Sequence, residues 1–291
     1  MPVFQLQNKL LSVKINSFGA ELCSVVSNET DIEYIWQADE SVWSRHAPNL
    51  FPIVGKLKGG EFQYHSKTYQ LPRHGFARDN EFICVEQADD YVLFELTASD
   101  KTLINYPFHF CFQIGYKLSA NKVITSYSVF NPDNCDLYFS VGAHPAFNCP
   151  LQNSEAFEDY ELVFNNKSEL TINTLNDGLI ASQTKQLDLK SNRVSVSKQL
   201  FDNDALVFMN SQIDEVHLVS SKSKHGVSLF SKDWPFFGIW TKKNTNQFIC
   251  LEPWQGIADS DISNGDITQK IGIIKLQSEE KYNCSFDLLF F

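Results

Sequence analysis

The stretch that decides the fold is FCFQIGYKLSANKVITSYSVFNP, Phe110–Pro132. Apolar residues stand at every second position over Phe110–Leu118, and the same alternation returns over Val123–Val129. A period of two is typical of a half-buried β-strand. The residues between, Ser119–Lys122, predict a hairpin connection, and Asn131–Pro132 predicts the end of the second strand. The stretch therefore predicts two neighbouring antiparallel strands.

Short strand patterns continue on both sides of this hairpin, whereas sustained apolar periodicity of 3.6 residues is scarce. One short helical turn is expected within Leu103–Phe108, limited by Pro107. Many strands joined by polar turns predict an all-β fold, a large sandwich or barrel of antiparallel strands. No linker, repeat or low-complexity segment divides the chain, so we expect a single domain over residues 1–291. Further predicted strands are Tyr91–Leu96, Leu137–Ala143, Glu215–Ser221, Gly226–Ser231 and Phe237–Thr241.

Charge and cysteine content restrict the class of protein. The chain carries a net charge of -11, which disfavours nucleic acid as a partner because such binding needs a basic face. Its seven cysteines are scattered without a C-x-x-C pair, which indicates reduced thiols rather than a disulfide framework. We find no signal-peptide pattern and no apolar run of about 18–20 residues. A cytoplasmic protein without a membrane partner is therefore expected.

Polar side chains with acid–base chemistry stand in three apolar, aromatic-rich frames. His74 and Arg78 lie in RHGFAR, His144 lies in VGAHPAFN (Val141–Asn148), and Glu252 lies in CLEPWQG (Cys250–Gly256). An imidazole exchanges a proton near neutral pH, and burial brings a carboxylate into the same range. If the fold joins these frames, they form a proton-transfer site.

Each of these residues also has a purely structural interpretation. Glu252 is held extended by Pro253 among apolar neighbours, which raises the expected pKa of its carboxyl, but a glutamate at a strand end often points to water. His144 is equally well a core histidine satisfied by backbone groups. Arg78 would clamp hydroxyls or a phosphate, or would pair with Asp79.

Other catalytic sites are disfavoured. A two-histidine, one-carboxylate metal site has the right residue types but lacks the local ligand spacing of preformed sites, so no metal is expected. The chain has no G-x-S-x-G, Walker or G-x-G-x-x-G motif. A cysteine–histidine hydrolase stays open, although no cysteine stands in a recognisable frame.

Taken together, the frames resemble the aldose 1-epimerase (mutarotase) family, and within it the LacX-like branch. The resemblance runs nearly end to end, and the order of its HGFAR, GAHPAFN and EPW elements is specific. It implies a single large antiparallel β-sandwich, the galactose mutarotase-like supersandwich, with a sugar bound in a cleft on one face. The matching segments are Phe18–Leu22, Pro48–Phe62, Leu71–Phe82, Val141–Asn148 and Trp234–Ser260.

The resemblance also implies an activity, the interconversion of α and β anomers of an aldohexose by ring opening and reclosure. Glu252 matches the catalytic base, which accepts the proton of the anomeric hydroxyl. His144 matches the acid, which protonates the ring oxygen. His74 matches a second histidine that hydrogen-bonds the sugar, and Arg78 matches a substrate-binding arginine. No metal or organic cofactor is expected for this isomerase chemistry.

Further sugar-binding positions follow from the same resemblance. Lys56 stands where many relatives have arginine, so a bidentate contact becomes a single point charge. Asp204 is the best match for a sugar-binding aspartate, with Asp202 close by. Apart from the resemblance, three aromatic residues are candidates either for stacking on the sugar or for the core: Trp254, Phe76 and Phe147.

Three functions remain open from the sequence. The first is a mutarotase of free aldohexoses, and the second is the same reaction on a hexose 6-phosphate. The third is a sugar-binding or sensing module without turnover, since one fold hosts many functions. We expect a monomer or a homodimer. The second function rests on a cationic rim formed by Lys56, Lys58, Arg73 and Arg78.

Overall fold

The computed structural model describes residues 2–165 and 167–291, and most of them lie in β-strands joined by turns. Helix is confined to α1 (Asp100–Asn105) and to short 3-10 turns in this part of the chain. The all-β prediction is confirmed. Over the same residues, no helix is both long and apolar enough to cross a membrane.

In chain order, the strands of the first half are β1 (Val3–Gln7), β2 (Leu11–Asn16), β3 (Glu21–Ser27), β4 (Asn49–Leu50), β5 (Glu61–Tyr64), β6 (Lys67–Gln70), β7 (Ile83–Gln87), β8 (Tyr91–Thr97), β9 (Cys111–Ser119), β10 (Lys122–Phe130), β11 (Leu137–Phe139), β12 (Gly142–Ala143) and β13 (Ala146–Asn148). Those of the second half are β14 (Tyr160–Phe164), β15 (Glu169–Asn176), β16 (Leu179–Asp188), β17 (Arg193–Ser195), β18 (Leu206–Met209), β19 (Glu215–Ser220), β20 (Gly226–Phe230), β21 (Phe236–Trp240), β22 (Phe248–Trp254), β23 (Ile274–Leu276) and β24 (Lys281–Phe290). The 3-10 turns are Lys58–Gly60, Ala77–Asp79, Phe157–Asp159, Lys198–Phe201 and Ile267–Gln269.

Two large antiparallel sheets dominate the described residues. One has the strand order β17-β14-β19-β20-β24-β10-β9-β8-β7, and the other has the order β16-β15-β18-β21-β22-β12-β4, with β13 also paired to β22. Smaller sheets are formed by β1-β2-β3, by β5-β6 and by β11-β23. The predicted hairpin is present as β9 and β10. Ser119 pairs with Lys122 next to the turn, and Cys111 pairs with Phe130 at the far end.

The two large sheets pack face to face around an aromatic core. Phe112 and Tyr127 of the first sheet are fully buried, as the alternation predicts. The Tyr127 hydroxyl donates to Asn49 Oδ1 of the second sheet at 2.6 Å, so a polar contact crosses the core. The antiparallel sandwich prediction is therefore confirmed.

Strand β22 is buried on both of its faces, and this decides where a site can form. Ile249 and Leu251 belong to the main core between the sheets. The alternate residues Cys250 and Trp254 belong to smaller apolar clusters on the outer side of the sheet. Because side chains alternate along a strand, Glu252 projects to that outer side as well. Loops cover this strand there, so the outer face of β22 is a buried surface.

One predicted segment differs in detail from the structure. The helical turn expected within Leu103–Phe108 begins earlier, at Asp100, because Ser99 caps it by accepting a hydrogen bond from Thr102 N–H. Further along the chain, the β15–β16 hairpin forms the edge of one large sheet, and β17 forms the edge of the other.

A buried ion pair ties together two loops beside the outer face of β22. Lys270 Nζ lies 2.9 Å from Asp259 Oδ1 and donates to the Ile257 carbonyl at 2.6 Å. The other carboxylate oxygen of Asp259 accepts from Lys58 N–H at 3.0 Å. The pair therefore fixes residues 56–58 against residues 257–259.

Lys270→Ala should destabilise the protein by about 3–5 kcal/mol, because it leaves the Asp259 carboxylate buried without its partner. Urea unfolding followed by circular dichroism measures the loss. The matched control is Lys275→Ala, whose ion pair with Asp136 is exposed and should be worth less than about 1 kcal/mol. Equal losses for the two variants would contradict the assignment.

Candidate active site

The pairing of β12 and β13 with β22 brings His144 opposite Glu252. Gly142 pairs with Trp254, and Ala146 pairs with Cys250. His144 lies midway between Gly142 and Ala146, and Glu252 lies midway between Cys250 and Trp254 on the partner strand. The ladder is interrupted there, since Pro145 has no N–H to donate. The two side chains emerge side by side on the outer face of the sheet.

Glu252 and His144 form a buried pair. His144 Nε2 lies 3.2 Å from Glu252 Oε2, and the two side chains are 10% and 2% exposed. Burial raises the pKa of Glu252 well above its usual value, and the nearby Asp204 carboxylate adds to the rise. Burial also lowers the pKa of His144, to about 3. Both shifts favour the uncharged form of the group concerned.

His74 reaches the same place from a loop and is held in one tautomer. Its backbone N–H donates to the Gly55 carbonyl at 2.8 Å, and its Nδ1 accepts from Gly55 N–H at 3.1 Å. Nδ1 is thus an acceptor, so the proton of the neutral ring is on Nε2. The rings of His74 and His144 meet edge to face, 5.5 Å between centroids.

The backbone around His74 explains why these residue types occur there. His74 has a φ of 68°, an uncommon conformation that structure elsewhere must stabilise. Gly55 also has a positive φ, and a Cβ on it would lie 2.5 Å from the Ala258 side chain. The reciprocal hydrogen bonds between these two residues hold His74 in place.

Tryptophans enclose the pair, and two of them were missed by the sequence analysis. Trp43 stacks on the His144 ring at 5.1 Å, and Trp240 meets it edge-on at 5.6 Å. Trp240 is on β21, in a segment matched by the family resemblance, whereas Trp43 lies in a loop within a polar stretch. The only sign in the sequence that Trp43 has a role at the site was the presence of a large indole among polar residues.

Trp254 lines the floor of the site, wedged between two strands that carry glycine. A Cβ on Gly142 would lie 2.8 Å from the Trp254 ring, and one on Gly238 would lie 2.5 Å from it. Real Cβ atoms do not approach so closely, so the indole requires glycine on both neighbouring strands.

Arg78 lies at the side of the site with part of its guanidinium unused. Its Nη2 donates to the Arg73 carbonyl at 2.7 Å. Asp79 is bound more closely by Arg45, at 2.8 Å, than by Arg78 Nε, at 3.8 Å. Burial lowers the pKa of Arg78 to about 10, so the side chain keeps its charge at neutral pH.

Lys56 also lines the site, but its ammonium group is already engaged. It donates to the backbone oxygen of Asp177 at 2.9 Å and to the carboxylate at 2.6 Å. Asp177 lies in the turn between β15 and β16 and is largely exposed. Of the two candidate aspartates, Asp204 lines the cavity and Asp202 does not.

These residues enclose a cavity of about 360 Å³. That volume is typical of small-molecule sites, which span about 300–1,000 Å³. Phe76 and Phe147, the other predicted stacking residues, do not line it: Phe147 is fully buried in the core, and Phe76 packs against Phe51. Asp202 and Lys58 do not line it either, and the candidates that do are Lys56, Arg73, His74, Arg78, His144, Asp204, Glu252 and Trp254.

Several buried polar atoms of the lining have no hydrogen-bond partner. Among the described residues, these atoms include Arg78 Nε, His144 Nδ1, Glu252 Oε2 and Trp254 Nε1. The contact between Glu252 Oε2 and His144 Nε2 is short, but it lacks the alignment of a hydrogen bond. Unsatisfied buried polar groups are costly, so a polar ligand would gain from completing them.

One set of side chains in the described residues is arranged as potential metal ligands. Donor atoms of His144, Cys250 and Glu252 all lie within 4.8 Å of one another. The two-histidine, one-carboxylate set considered from the sequence is not grouped in this way, and Cys250 takes the place of His74.

The comparisons with known proteins agree with the sequence motifs. A family model described as aldose 1-epimerase matches residues 2–270. The chromosomal protein LacX of Lactococcus lactis subsp. lactis is 31% identical over 293 residues, covering 98% of each chain.

Solved structures share the fold over its full length. The galactose mutarotase related enzyme of Lactobacillus acidophilus matches with a TM-score of 0.96 at 34% identity, covering 100% of this chain and 97% of that one. A galactose mutarotase-like protein of Lactobacillus casei ATCC 334 matches with a TM-score of 0.93 at 28% identity, covering 100% of both chains.

His74→Asn should flatten the dependence of stability on pH below about 6.5. Burial lowers the pKa of His74 well below that value, so the unfolded chain takes up a proton that the folded chain excludes. The wild type should therefore lose up to about 1.4 kcal/mol of unfolding free energy per pH unit from this residue. Asparagine tolerates the positive φ of position 74, and urea unfolding at pH 5 and pH 7 measures the difference. The control is His109→Asn, an exposed histidine, whose unfolding free energy should depend on pH as that of the wild type does. The same pH dependence in His74→Asn would show that His74 is not held neutral by burial.

Proposed function

The chain belongs to the aldose 1-epimerase family, and we propose that it is a mutarotase that interconverts the α and β anomers of an aldohexose. The observation that carries this proposal is the buried contact between Glu252 and His144 in a cavity of sugar size. Mutarotation requires a proton to leave the anomeric hydroxyl while another reaches the ring oxygen. A carboxylate beside an imidazole supplies both functions.

The protonation state of the pair matches this requirement. In this proposal the two groups hold one transferable proton, because burial favours a neutral carboxyl beside a neutral imidazole. Once the two side chains align, transfer of that proton from Glu252 to His144, whose nearest atoms lie 3.2 Å apart, gives carboxylate and imidazolium. Each half of the reaction takes one proton from the pair and returns one proton to it, so a pair that holds a single proton is sufficient.

The reaction then proceeds in two mirrored steps. Glu252 accepts the proton of the anomeric hydroxyl while His144 delivers its proton to the ring oxygen, and the C1–O5 bond breaks. Rotation about C1–C2 turns the other face of the aldehyde towards the C5 hydroxyl. On reclosure His144 takes back the hydroxyl proton and Glu252 returns its proton to the carbonyl oxygen. The pair ends in the state in which it began, and the step needs no metal or organic cofactor.

The remaining lining residues bind and orient the sugar in this proposal. His74 presents its Nε2–H as a fixed donor, and Arg78 offers its unpartnered Nε. Asp204 accepts from sugar hydroxyls, and Trp254 provides an apolar surface for the C–H groups. Holding the ring in one pose adds to the rate, because orientation need not be found by chance. We further propose that residues 1–291 form one domain.

Glu252→Gln and His144→Asn should each lower kcat/KM for glucose and galactose by about 10²–10⁴-fold. Each removes one proton-transfer group and keeps a similar shape, so circular dichroism should show an intact fold. Polarimetry and anomer-exchange NMR measure the rates. A wild-type protein that binds these sugars without accelerating their mutarotation would instead favour a sugar-binding or sensing module.

A specific observation favours a second candidate, mutarotation of a hexose 6-phosphate. Four cationic side chains line the cavity in a protein with a net charge of -11. They are not the four expected from the sequence. Lys58 is turned away, donating to the Ser263 carbonyl at 3.1 Å, and Lys242 lines the cavity instead. The full set is Lys56, Arg73, Arg78 and Lys242.

Arg73→Met separates the two candidates. If the substrate is phosphorylated, kcat/KM for glucose 6-phosphate should fall on the order of tenfold, the effect of losing one charge-assisted hydrogen bond. The value for free glucose should change little. Lys58→Met is the matched control and should leave both values unchanged. A free hexose preferred by the wild type and equal effects of Arg73→Met on both sugars would exclude the second candidate.

A further inference from the structure

Cys250 is a buried thiol beside the catalytic pair that the proposed reaction does not use. It lies on the same face of β22 as Glu252, two residues away, and its side chain is fully buried. Across the adjacent strand it pairs with Ala146, two residues from His144. Sulfur, imidazole nitrogen and carboxylate oxygen therefore converge on the outer side of β22, where His144 and Glu252 line the cavity.

The spacing of these donors is close to that of a metal site. The donor atoms of Cys250, His144 and Glu252 lie within 4.8 Å of one another. Zinc binds sulfur at about 2.3 Å and nitrogen at about 2.0–2.1 Å, so two ligands across the ion stand at most about 4.4 Å apart. Small side-chain rotations bring the three donors into this range.

A second observation points to a ligand at this place. Glu252 Oε2 is buried and has no hydrogen-bond partner, although its side chain is only 2% exposed. A cation bound between it and His144 Nε2 would satisfy this oxygen. The cavity leaves a fourth position open for water or a sugar hydroxyl.

We propose that Cys250, His144 and Glu252 form an inhibitory site for a thiophilic divalent cation such as Zn²⁺. The thiol selects the cation, because thiolate and imidazole suit zinc whereas magnesium and calcium require oxygen ligands. Occupation removes both proton-transfer groups from the reaction, so the ion blocks turnover. That inhibition rests on the proposed mutarotase function, whereas binding of the ion does not.

The binding step is balanced by proton release. Burial raises the pKa of the Cys250 thiol, so it enters the site protonated, and Zn²⁺ displaces that proton to solvent. The proton shared by Glu252 and His144 is displaced in the same way. No electron is transferred.

The surroundings of His144 indicate a reversibly bound inhibitory ion rather than a resident one. A ligating histidine usually donates its other ring N–H to a carboxylate or carbonyl, and such partners add about 10–100-fold to affinity. His144 Nδ1 has no partner among the described residues. The site therefore lacks the support that permanent zinc centres have.

Cobalt titration of the reduced protein tests the site without relying on turnover. Co²⁺ should bind one equivalent and produce the near-ultraviolet charge-transfer band of a thiolate ligand, which Zn²⁺ then removes. Cys250→Ser should abolish this band. Cys149→Ala is the matched control, because Cys149 is also fully buried but is not grouped with His144 and Glu252, and it should keep the band. A band that persists in Cys250→Ser, or no band in the wild type, would overturn the proposal.

Inhibition of the wild type is measured in parallel. Cys250→Ser should retain mutarotase activity while the Zn²⁺ concentration for half-inhibition rises at least about tenfold, as for loss of one ligand worth about 1.4 kcal/mol. Thiolate binding of Co²⁺ by a wild type without mutarotase activity would leave the site standing and remove only the proposed function. Equal inhibition of the wild type and Cys250→Ser would show that Zn²⁺ acts elsewhere.

Discussion

The antiparallel pairing of residues 142–148 with β22 is the constraint on which the site depends. It sets His144 opposite Glu252, and the same pairing places Gly142 beside Trp254. A shift of one residue would turn every side chain of β22 to the opposite face and send Glu252 into the core. The main core prevents such a shift, because Ile249 and Leu251 are fully buried between the two large sheets. Packing on one face of the strand therefore fixes the chemistry on the other.

Burial sets the protonation that we propose for this arrangement. Two ionisable groups removed from water are unfavourable as separate charges, so the neutral pair that shares a proton is the stable form. The cationic side chains of the lining are held by carbonyls of the protein, since Arg78 donates to Arg73 and Lys242 donates to Val42. The cavity therefore combines a desolvated pair of ionisable groups with cationic side chains in its lining.

The sequence predicted the fold from local patterns, and the site from the joint occurrence of its motifs. Alternation identified β9 and β10 because each buries one face, and the polar residues in apolar frames proved to line one cavity. Trp43 and Lys242 were missed, since a loop residue carries no periodic signal and its direction is set by tertiary packing. The ion pair of Lys56 with Asp177 was equally inaccessible, because it joins segments 121 positions apart. Distances between motifs can be predicted only when the register of the strands is known.

The indole of Trp254, wedged between Gly142 and Gly238, has a consequence for how this sequence can change over evolution. A side chain introduced at either glycine collides with the ring, and a smaller residue at position 254 leaves a void beneath the site. The three positions therefore behave as one inherited unit, although they lie on three different strands. Drift at any of them must wait for a compensating change at another, so this part of the site is expected to vary among descendants of the chain in concerted steps.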